Sequence, residues 1–481
     1  MPQRGYQRSQ TYLLPPSTDD WIPATHPVRY IAMFVDELPD DEWAALEIAS
    51  EPDPRGAPRY APELLLSLWL AGFTFGIRTT RKLETACQYD LAFIWLAGGQ
   101  RPDHHTLWAF SAKHRQAMRR LLKQTVRVAI AANLLDLGLQ AIDGTKLLAN
   151  AARERSLTEA ELQQVEQRLD AELTALEAQH AGEGEPTPAA LPPELTSATA
   201  LRERVRQARA QIEATGQAGK GNLTDPEARV MKTRQGLRPA YNAQAAVVAL
   251  DVAHSGQAGR LIVAAALSTE PDDHGHLLPM LAAAADQAAV PLTVADAGYH
   301  SGANLAACAE AGYAVVIPEP RAPVAQQPAR TFTYDAGTDT DQCARGVVLT
   351  RRGTTTRRDD GREVRRYRAD GRACRGCPLR APCIGAGRGG RVLQVGPHDA
   401  HLRQHRVWME TEEARQVLGQ RKGLIEGVFG TIKAQFAGQQ LWLRGHTKVT
   451  AEWSLLAIGA NLRTLARIWA SGGAAVAAAP A

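Results

Sequence analysis

LQAIDGTK at residues 139–146 is an apolar, β-prone run that ends on Asp143 and Gly144. PLTVADAGYH at residues 291–300 repeats the arrangement, with Asp296 shortly before a glycine. Runs of this composition followed by glycine predict strands that end in turns, so we expect each carboxylate at the carboxyl end of a strand. Because Asp-Gly is also an ordinary turn dipeptide, the alternative is a turn with no further role.

A third carboxylate, Glu426, lies in RKGLIEGVFGTIK at residues 421–433, a stretch with helical periodicity. At about 100° per residue, Lys422, Glu426 and Lys433 fall within roughly 40° of one another on the helix surface. Carboxylates are hard oxygen ligands that suit Mg²⁺, and two such ions about 4 Å apart clamp the attacking and leaving oxygens of an in-line displacement. The three blocks together therefore suit a metal-dependent phosphoryl-transfer site, although most helical glutamates simply face solvent.

Glycine is unusually frequent in the Glu426 helix, where each copy costs about 1 kcal/mol relative to alanine. We expect close approach of the helix backbone to a sheet or to DNA to offset that cost. The glycines are Gly419, Gly423, Gly427 and Gly430. The apolar stripe expected to bury against the sheet is Leu424, Val428, Ile432 and Phe436.

At these residues the chain resembles the DDE transposases of bacterial insertion sequences, in the group whose third block carries a Tyr, Arg, Glu, Lys signature. Glu426 and Lys433 match the last two signature positions. The Arg position falls on Lys422, with Arg421 beside it, and the Tyr position falls on Gly419. The resemblance extends from about residue 20 to about residue 468. It includes a YNxQ run at Tyr241, Asn242 and Gln244, and helical leader segments at residues 62–84 and 101–110.

The resemblance implies an α/β fold with a ribonuclease-H-like mixed sheet and flanking helices. Strand signals lie at 139–142, 243–251, 260–267, 292–295 and 313–318, with helices near 276–287 and 302–311. Asp272 and Asp273 are expected to cap the first of these helices. The catalytic core would consist of residues 136–155, 218–320 and 405–468.

The resemblance also implies an enzyme that binds terminal inverted repeats and cleaves and joins DNA strands, with Asp143, Asp296 and Glu426 as catalytic metal ligands. The expected cofactor is two Mg²⁺ ions, with Mn²⁺ as a substitute, and Arg421, Lys422 and Lys433 would hold phosphates. The expected partners are the element ends and target DNA, with a homodimer in the synaptic complex. Two alternatives stay open: a ribonuclease-H-fold nuclease without strand transfer, and a non-catalytic DNA-binding derivative.

Positive charge is concentrated in one segment. Residues 345–391 hold fourteen arginines, no lysine and four acidic residues, a net charge of +10, whereas the whole chain carries +4. Guanidinium groups bind phosphate oxygens bidentately, so the segment, with Arg365, Arg366 and Arg368 as candidates, is predicted to bind nucleic acid. A flexible charged loop is the alternative.

Four of the six cysteines lie in or beside this segment: Cys343, Cys374, Cys377 and Cys383. The CxxC pair and the cysteine that follows suit tetrahedral Zn²⁺ coordination, with Cys343 or His398 as the fourth ligand. Unpaired thiols in a loop are the alternative. Cys87 and Cys308 lie in apolar helical context and are expected in the core.

The remaining regions complete the predicted organisation. Residues 1–20 and 469–481 are expected to be disordered, and residues 21–135 to form an all-α domain for DNA binding or dimerisation, with Arg78 among its candidate groove-binding cations. Residues 156–217 predict a coiled-coil hairpin insertion opened by an SLTE capping box, and residues 321–404 an Arg/Cys-rich insertion. The first residues are polar and no apolar run is long enough for a membrane span, so a cytoplasmic, nucleoid-associated protein is expected.

Overall fold

The computed structural model describes residues 17–47, 59–180, 193–214, 219–320, 332–356, 363–385, 387 and 389–472. The chain divides into two compact units, residues 1–291 with 421–481, and residues 292–420. The predicted disorder before residue 17 and after residue 472 lies outside the described residues. The disorder predicted for residues 469 and 470 is wrong, because a helix extends to Ala470.

Helices in the described residues are numbered along the chain. The first eight are α1 (Thr18–Trp21), α2 (Pro27–Asp36), α3 (Asp40–Ala45), α4 (Pro62–Phe75), α5 (Thr80–Tyr89), α6 (Leu91–Leu96), α7 (His104–Met118) and α8 (Leu121–Ala131). The others are α9 (Glu159–His180), α10 (Pro193–Ala214), α11 (Val252–Ser255), α12 (Leu277–Ala285), α13 (Gly302–Glu310), α14 (Arg380–Ile384), α15 (Asp399–Met409), α16 (Glu412–Gln435) and α17 (His446–Ala470). None of the described helices is both long and apolar enough to cross a bilayer.

Local sequence signals account for several helix ends. Pro62 occupies the first turn of α4, and Thr79 caps α5 by accepting from the Lys82 backbone N–H. Ser17 and Asp20 form a capping box that starts α1, so the prediction of disorder through residue 20 is wrong for residues 18–20.

Helix α17 is the buried centre of the N-terminal helical region, which packs against it within the first unit. The Arg78 Nη1 donates to the Glu452 Oε1 at 2.8 Å, and the two side chains are 2% and 3% exposed. Burial raises the pKa of Glu452, while Arg78 and the backbone N–H groups of Trp442 and Leu443 oppose that shift. Because Arg78 is sealed in this pair, the expectation that it contacts DNA is wrong.

The strands of the first unit are β1 (Leu135–Leu148), β2 (Ser156–Thr158), β3 (Lys220–Asn222), β4 (Arg229–Thr233), β5 (Gly236–Leu250) and β6 (Arg260–Ser268). Strand β5 is antiparallel to β1 along one edge and to β4 and then β6 along the other. Ala240 pairs with both Leu148 of β1 and Arg229 of β4, which places β1 and β4 on opposite edges.

The predicted helical hairpin is present as the antiparallel pair α9 and α10. Glu166 bonds Arg206 and Arg209, and Asp170 bonds Arg202, over a shared apolar core. Ser156 belongs to β2, which pairs with β3, so the expected SLTE cap is displaced. Thr158 and Glu161 form the cap instead, since each side chain accepts from the other's backbone N–H.

The second unit contains the parallel pair β7 (Leu292–Ala295) and β8 (Ala314–Val316). It also contains an antiparallel sheet in chain order, β9 (Phe332–Asp335), β10 (Thr340–Cys343), β11 (Val348–Thr356), β12 (Glu363–Ala369) and β13 (Val392–Val395). The described residues thus form a mixed α/β fold with antiparallel and parallel strand pairs, flanking helices and a helical N-terminal region. The predicted Arg/Cys-rich insertion contains this second sheet, which sequence reasoning did not anticipate.

Candidate active site

The first and third sequence blocks meet in the first unit. Arg421 of α16 donates from Nη1 to the Asp143 Oδ2 at 2.8 Å, although 278 residues separate them. The Gly144 backbone N–H donates to the Asp143 Oδ1 at 2.7 Å. The Asp143 and Arg421 side chains are 18% and 19% exposed, so the pair lies at the surface rather than in the core.

A second contact joins the same strand and helix two residues farther along β1. Lys433 donates from Nζ to the Thr145 Oγ1 at 2.5 Å. Burial, and secondarily Arg234, lower the pKa of Lys433. Leu148 then forms an isolated parallel bridge with Gln440, so the helix and its continuation run beside β1.

Glu426 lies on α16 between these two contacts and its side chain is exposed. Lys433 follows it by seven positions, which places the two about 20° apart around the helix axis. Lys422 is also exposed. The predicted apolar stripe is confirmed as the buried side of the helix: Leu424, Val428, Ile432 and Phe436. Lys422 and Glu426 are therefore exposed on α16, whereas Lys433 is partly buried against Thr145 of β1.

The glycines of α16 have a different environment from the one expected. A Cβ on Gly427 would lie 2.7 Å from Arg260 Nη1. Among the described residues, nothing lies within 4 Å of a Cβ placed on Gly419, Gly423 or Gly430. Close approach to the sheet is therefore wrong as an explanation for these three glycines.

Asp143 lies inside β1 rather than at its carboxyl end, and Gly144 is not in a turn. Both expectations were wrong because strand pairing with β5 continues to Leu148. Gly144 leaves room for neighbouring polar side chains. A Cβ there would lie 2.4 Å from Gln244 Nε2 and 2.7 Å from Asp273 Oδ1.

A polar network fills the space above Gly144. The Asp273 Oδ1 accepts from Asn242 Nδ2 at 2.7 Å and from Gln244 Nε2 at 2.8 Å. It also lies 3.3 Å from the Lys146 Nζ. Asp273 makes no side-chain cap bond to the following 3-10 turn, so its expected role as a helix cap is wrong. The YNxQ run could have signalled the network, because Asn242 and Gln244 lie two residues apart and share one face of a strand.

Asp296 lies in the second unit, directly after β7, as predicted. Its Oδ1 accepts from the Gly298 backbone N–H at 2.8 Å and begins a 3-10 turn. In the described residues of this turn, the His300 Nε2 is buried without a hydrogen-bond partner, and burial lowers the pKa of His300.

Two comparisons with known families match the chain. Residues 342–466 match the family described as Transposase DDE domain, and residues 16–113 match the family described as Transposase domain. The chain therefore contains a transposase DDE domain and has transposase activity. No curated protein matches the chain. The DDE match includes Lys422, Glu426 and Lys433. It also covers the second sheet from the end of β10 to β13, so most of the predicted insertion lies within the matched region.

The arginines of the transposase's second sheet divide between its two faces. Arg366 and Arg368 are exposed on β12 and, with Arg352 of β11, line an open cavity of about 550 Å³. Arg365 turns to the other face, where its guanidinium carbon lies 5.9 Å from the Tyr334 ring centre. Of the three arginines proposed from sequence, two therefore share a surface and the third does not.

Four cysteines of the transposase meet in the second unit. Cys343, Cys374, Cys377 and Cys383 line one cavity of about 30 Å³. Burial raises the pKa of Cys383, while Arg391 opposes the shift. Within the described ranges, no three His, Cys, Asp or Glu side chains are already arranged to hold a metal ion.

Proposed function

We propose that this transposase binds the terminal inverted repeats of an insertion sequence and catalyses strand cleavage and strand transfer. Asp143, Asp296 and Glu426 would be its catalytic carboxylates, on a ribonuclease-H-like core. Glu426 and Lys433, which match the last two signature positions, support membership of the Tyr, Arg, Glu, Lys group. The observation that carries the proposal is the Asp143–Arg421 ion pair, which joins the first block to the helix of the third.

The donor chemistry fits divalent cations. Asp143 offers two carboxylate oxygens at a partly exposed position, and Glu426 is exposed on the adjoining helix. Hard oxygen donors of this kind favour Mg²⁺ or Mn²⁺ over softer metals. When bound by the three carboxylates, two such ions would stabilise charge on the attacking and leaving oxygens of the phosphodiester.

The cations of α16 would position the DNA. Arg421 and Lys433 already lie against β1 beside Asp143 and Thr145, and Lys422 extends from the exposed side of the helix. A guanidinium can exchange a carboxylate for a phosphate because both offer two oxygens to its planar donors. Arg421 would therefore hold the strand near the scissile phosphate, and Lys433 would hold its neighbour.

The open cavity lined by arginines of β11 and β12 would bind the DNA backbone. Arg352, Arg366 and Arg368 line it, with Asp370 as the acidic lining residue. Because each neutralised phosphate releases counterions, binding through this cavity should weaken steeply as salt rises. We further propose a homodimer in the complex that pairs two element ends.

The deciding experiment compares Asp143→Asn with Asp136→Asn, which removes an exposed carboxylate from the same strand. With Mg²⁺ and labelled end DNA, Asp143→Asn should lose cleavage and strand transfer while DNA binding stays near the original level. Asp136→Asn should retain all three. Asp296→Asn and Glu426→Gln should behave like Asp143→Asn.

Mg²⁺-dependent cleavage retained by Asp143→Asn would contradict the assignment of the carboxylates. Cleavage without joined product in the unmodified protein would contradict strand transfer alone.

A further inference from the structure

Four of the six cysteines come together from three separate elements of the second unit. Cys343 is the last residue of β10, Cys374 and Cys377 lie in the turns after β12, and Cys383 lies in α14. The other two cysteines are buried in α5 and α13. All six are free thiols, so no disulfide accounts for the convergence.

The cavity between the four thiols is small and otherwise mostly apolar. Its volume is about 30 Å³, and no carboxylate lines it. The other lining residues are Phe332, Val347, Leu349, Ala369, Ala373, Arg380, Ile384 and Arg391. A space of this size accommodates a single ion or water-sized group, and thiolate is the ligand that Zn²⁺ accepts in structural sites.

Two arginines tie the cysteine-bearing turns together. Arg380 donates to the Cys374 carbonyl at 3.1 Å and to the Gly387 carbonyl at 2.7 Å. Arg391 donates to the Cys383 carbonyl at 2.5 Å. Four thiolates around a divalent cation carry a net charge of −2, and these two guanidinium groups would offset it.

The residues between β12 and β13 contain few other stabilising elements. Between β12 and β13 the described residues contain a single five-residue helix, α14, and otherwise turns. The buried apolar cluster shared with the sheet is short: Phe332, Leu349, Tyr367, Ala369, Cys374 and Val395. Small regions with cores of this size commonly need a metal or a cross-link for stability.

We propose that Cys343, Cys374, Cys377 and Cys383 bind one structural Zn²⁺ that fixes the turns between β12 and β13 to the second sheet. Cys343 supplies the fourth thiolate. His398 does not line the cavity. Its side chain lies beside Gly302 at the start of α13, where a Cβ would be 2.9 Å from the His398 Cβ. The sulfur atoms border the cavity without yet forming a ligand set, so ion binding requires their side chains to turn inward.

The test measures zinc in the full-length protein purified under reducing conditions without chelator. We expect about one ion per chain by mass spectrometry of the metal, and strong visible absorption when Co²⁺ replaces it, as for tetrahedral thiolate sites. Cys374→Ser and Cys383→Ser should each lower the zinc content to below about a tenth of the original. Cys308→Ser is the matched control, because Cys308 is a buried thiol of the same unit that does not line the cavity.

A second measurement avoids variants that fail to fold. In the unmodified protein, alkylation followed by peptide mass spectrometry should find Cys343, Cys377 and Cys383 protected until a zinc chelator is added. Zinc-free protein that shows no thiolate absorption with Co²⁺ would overturn the proposal. So would disulfides among the four cysteines, or zinc that persists in Cys383→Ser.

Discussion

The two faces of β1 carry polar residues with different partners. On one face, Asp143 and Thr145 contact Arg421 and Lys433, two long cationic side chains that reach in from α16. On the other face, Gly144 and Lys146 lie opposite Gln244 and Asn242 of β5. There the amides and the ammonium converge on Asp273, close above the glycine.

The two faces of β1 differ in whether their polar side chains can exchange one hydrogen-bond partner for another. The cations beside Asp143 are partly exposed, so they could exchange protein oxygens for phosphate oxygens. The Asp273 network is packed so closely on Gly144 that an added methyl group would collide with it. In the proposed site, one face would meet the substrate and the other would hold the strand in place.

The largest expected effect is on the exchangeable face. Arg421→Ala should lower the rate of strand cleavage roughly 10²–10³-fold, the usual cost of losing a cation aimed at developing charge. Arg421→Lys should recover part of the loss, because it keeps the charge without the planar fork. The measurement is single-turnover cleavage of end DNA. A cleavage rate that is unchanged in Arg421→Ala would show that the Asp143 ion pair has no part in DNA positioning.

A smaller effect is expected on the packed face. Gly144→Ala should lower the free energy of unfolding by about 1–3 kcal/mol, because the methyl group overpacks the Asp273 network. Gly138→Ala on the same strand is the control, since its Cβ would meet only the exposed Asp136 side chain, at 3.2 Å. Urea denaturation measures both. Equal stability of the two variants would mean that the network yields easily and does not hold β1.

A pH profile sharpens the comparison further. Because burial lowers the pKa of Lys433, its proton should leave below the ordinary lysine value of about 10.4. Cleavage should therefore decline as pH rises toward that value, whereas Lys433→Arg should stay charged and keep its rate. The folded protein releases this proton before the unfolded chain does, so the Lys433 contribution to stability increases over the same window. Parallel decline in both proteins would exclude Lys433 as the titrating group.

The smallest effect concerns the open glycines of α16. Gly423→Ala should raise the free energy of unfolding by up to about 1 kcal/mol, because the helix gains propensity and meets no obstacle. If DNA lies along this side of the helix, the same variant should bind end DNA more weakly. Gly427→Ala should stabilise less, since Arg260 would have to move. Greater stability with unchanged DNA affinity would place the DNA elsewhere.

Much of the secondary structure follows from local sequence. The strand signals at 260–267 and 292–295 correspond to β6 and β7, and the helix expected at 302–311 corresponds to α13. Apolar residues at a period of four also predicted the buried side of α16. These patterns are readable because one side of each element is covered by apolar residues and the other is not.

The second sheet was not predicted because arginines obscure the alternation of polar and apolar residues in its strands. In β12 two exposed positions are arginines, Arg366 and Arg368, and the larger buried side chains are Val364 and Tyr367. A charged run of this kind is compatible with either a loop or a strand until neighbouring strands supply hydrogen bonds. The division of Arg365 from Arg366 follows only from that pairing.

Sequence alone identified the candidate residues for the chemistry: three carboxylates, the cations of α16 and four cysteines at metal-binding spacing. Only the tertiary structure decided that Arg421 pairs with Asp143, that Asp143 lies within a strand, and that the Asp273 side chain packs against Gly144. The physical reason is the distance along the chain over which each feature is encoded. Residue type and periodicity are encoded over a few neighbouring positions, whereas ion pairs across 278 residues and the space left for a missing methyl group depend on how distant segments pack.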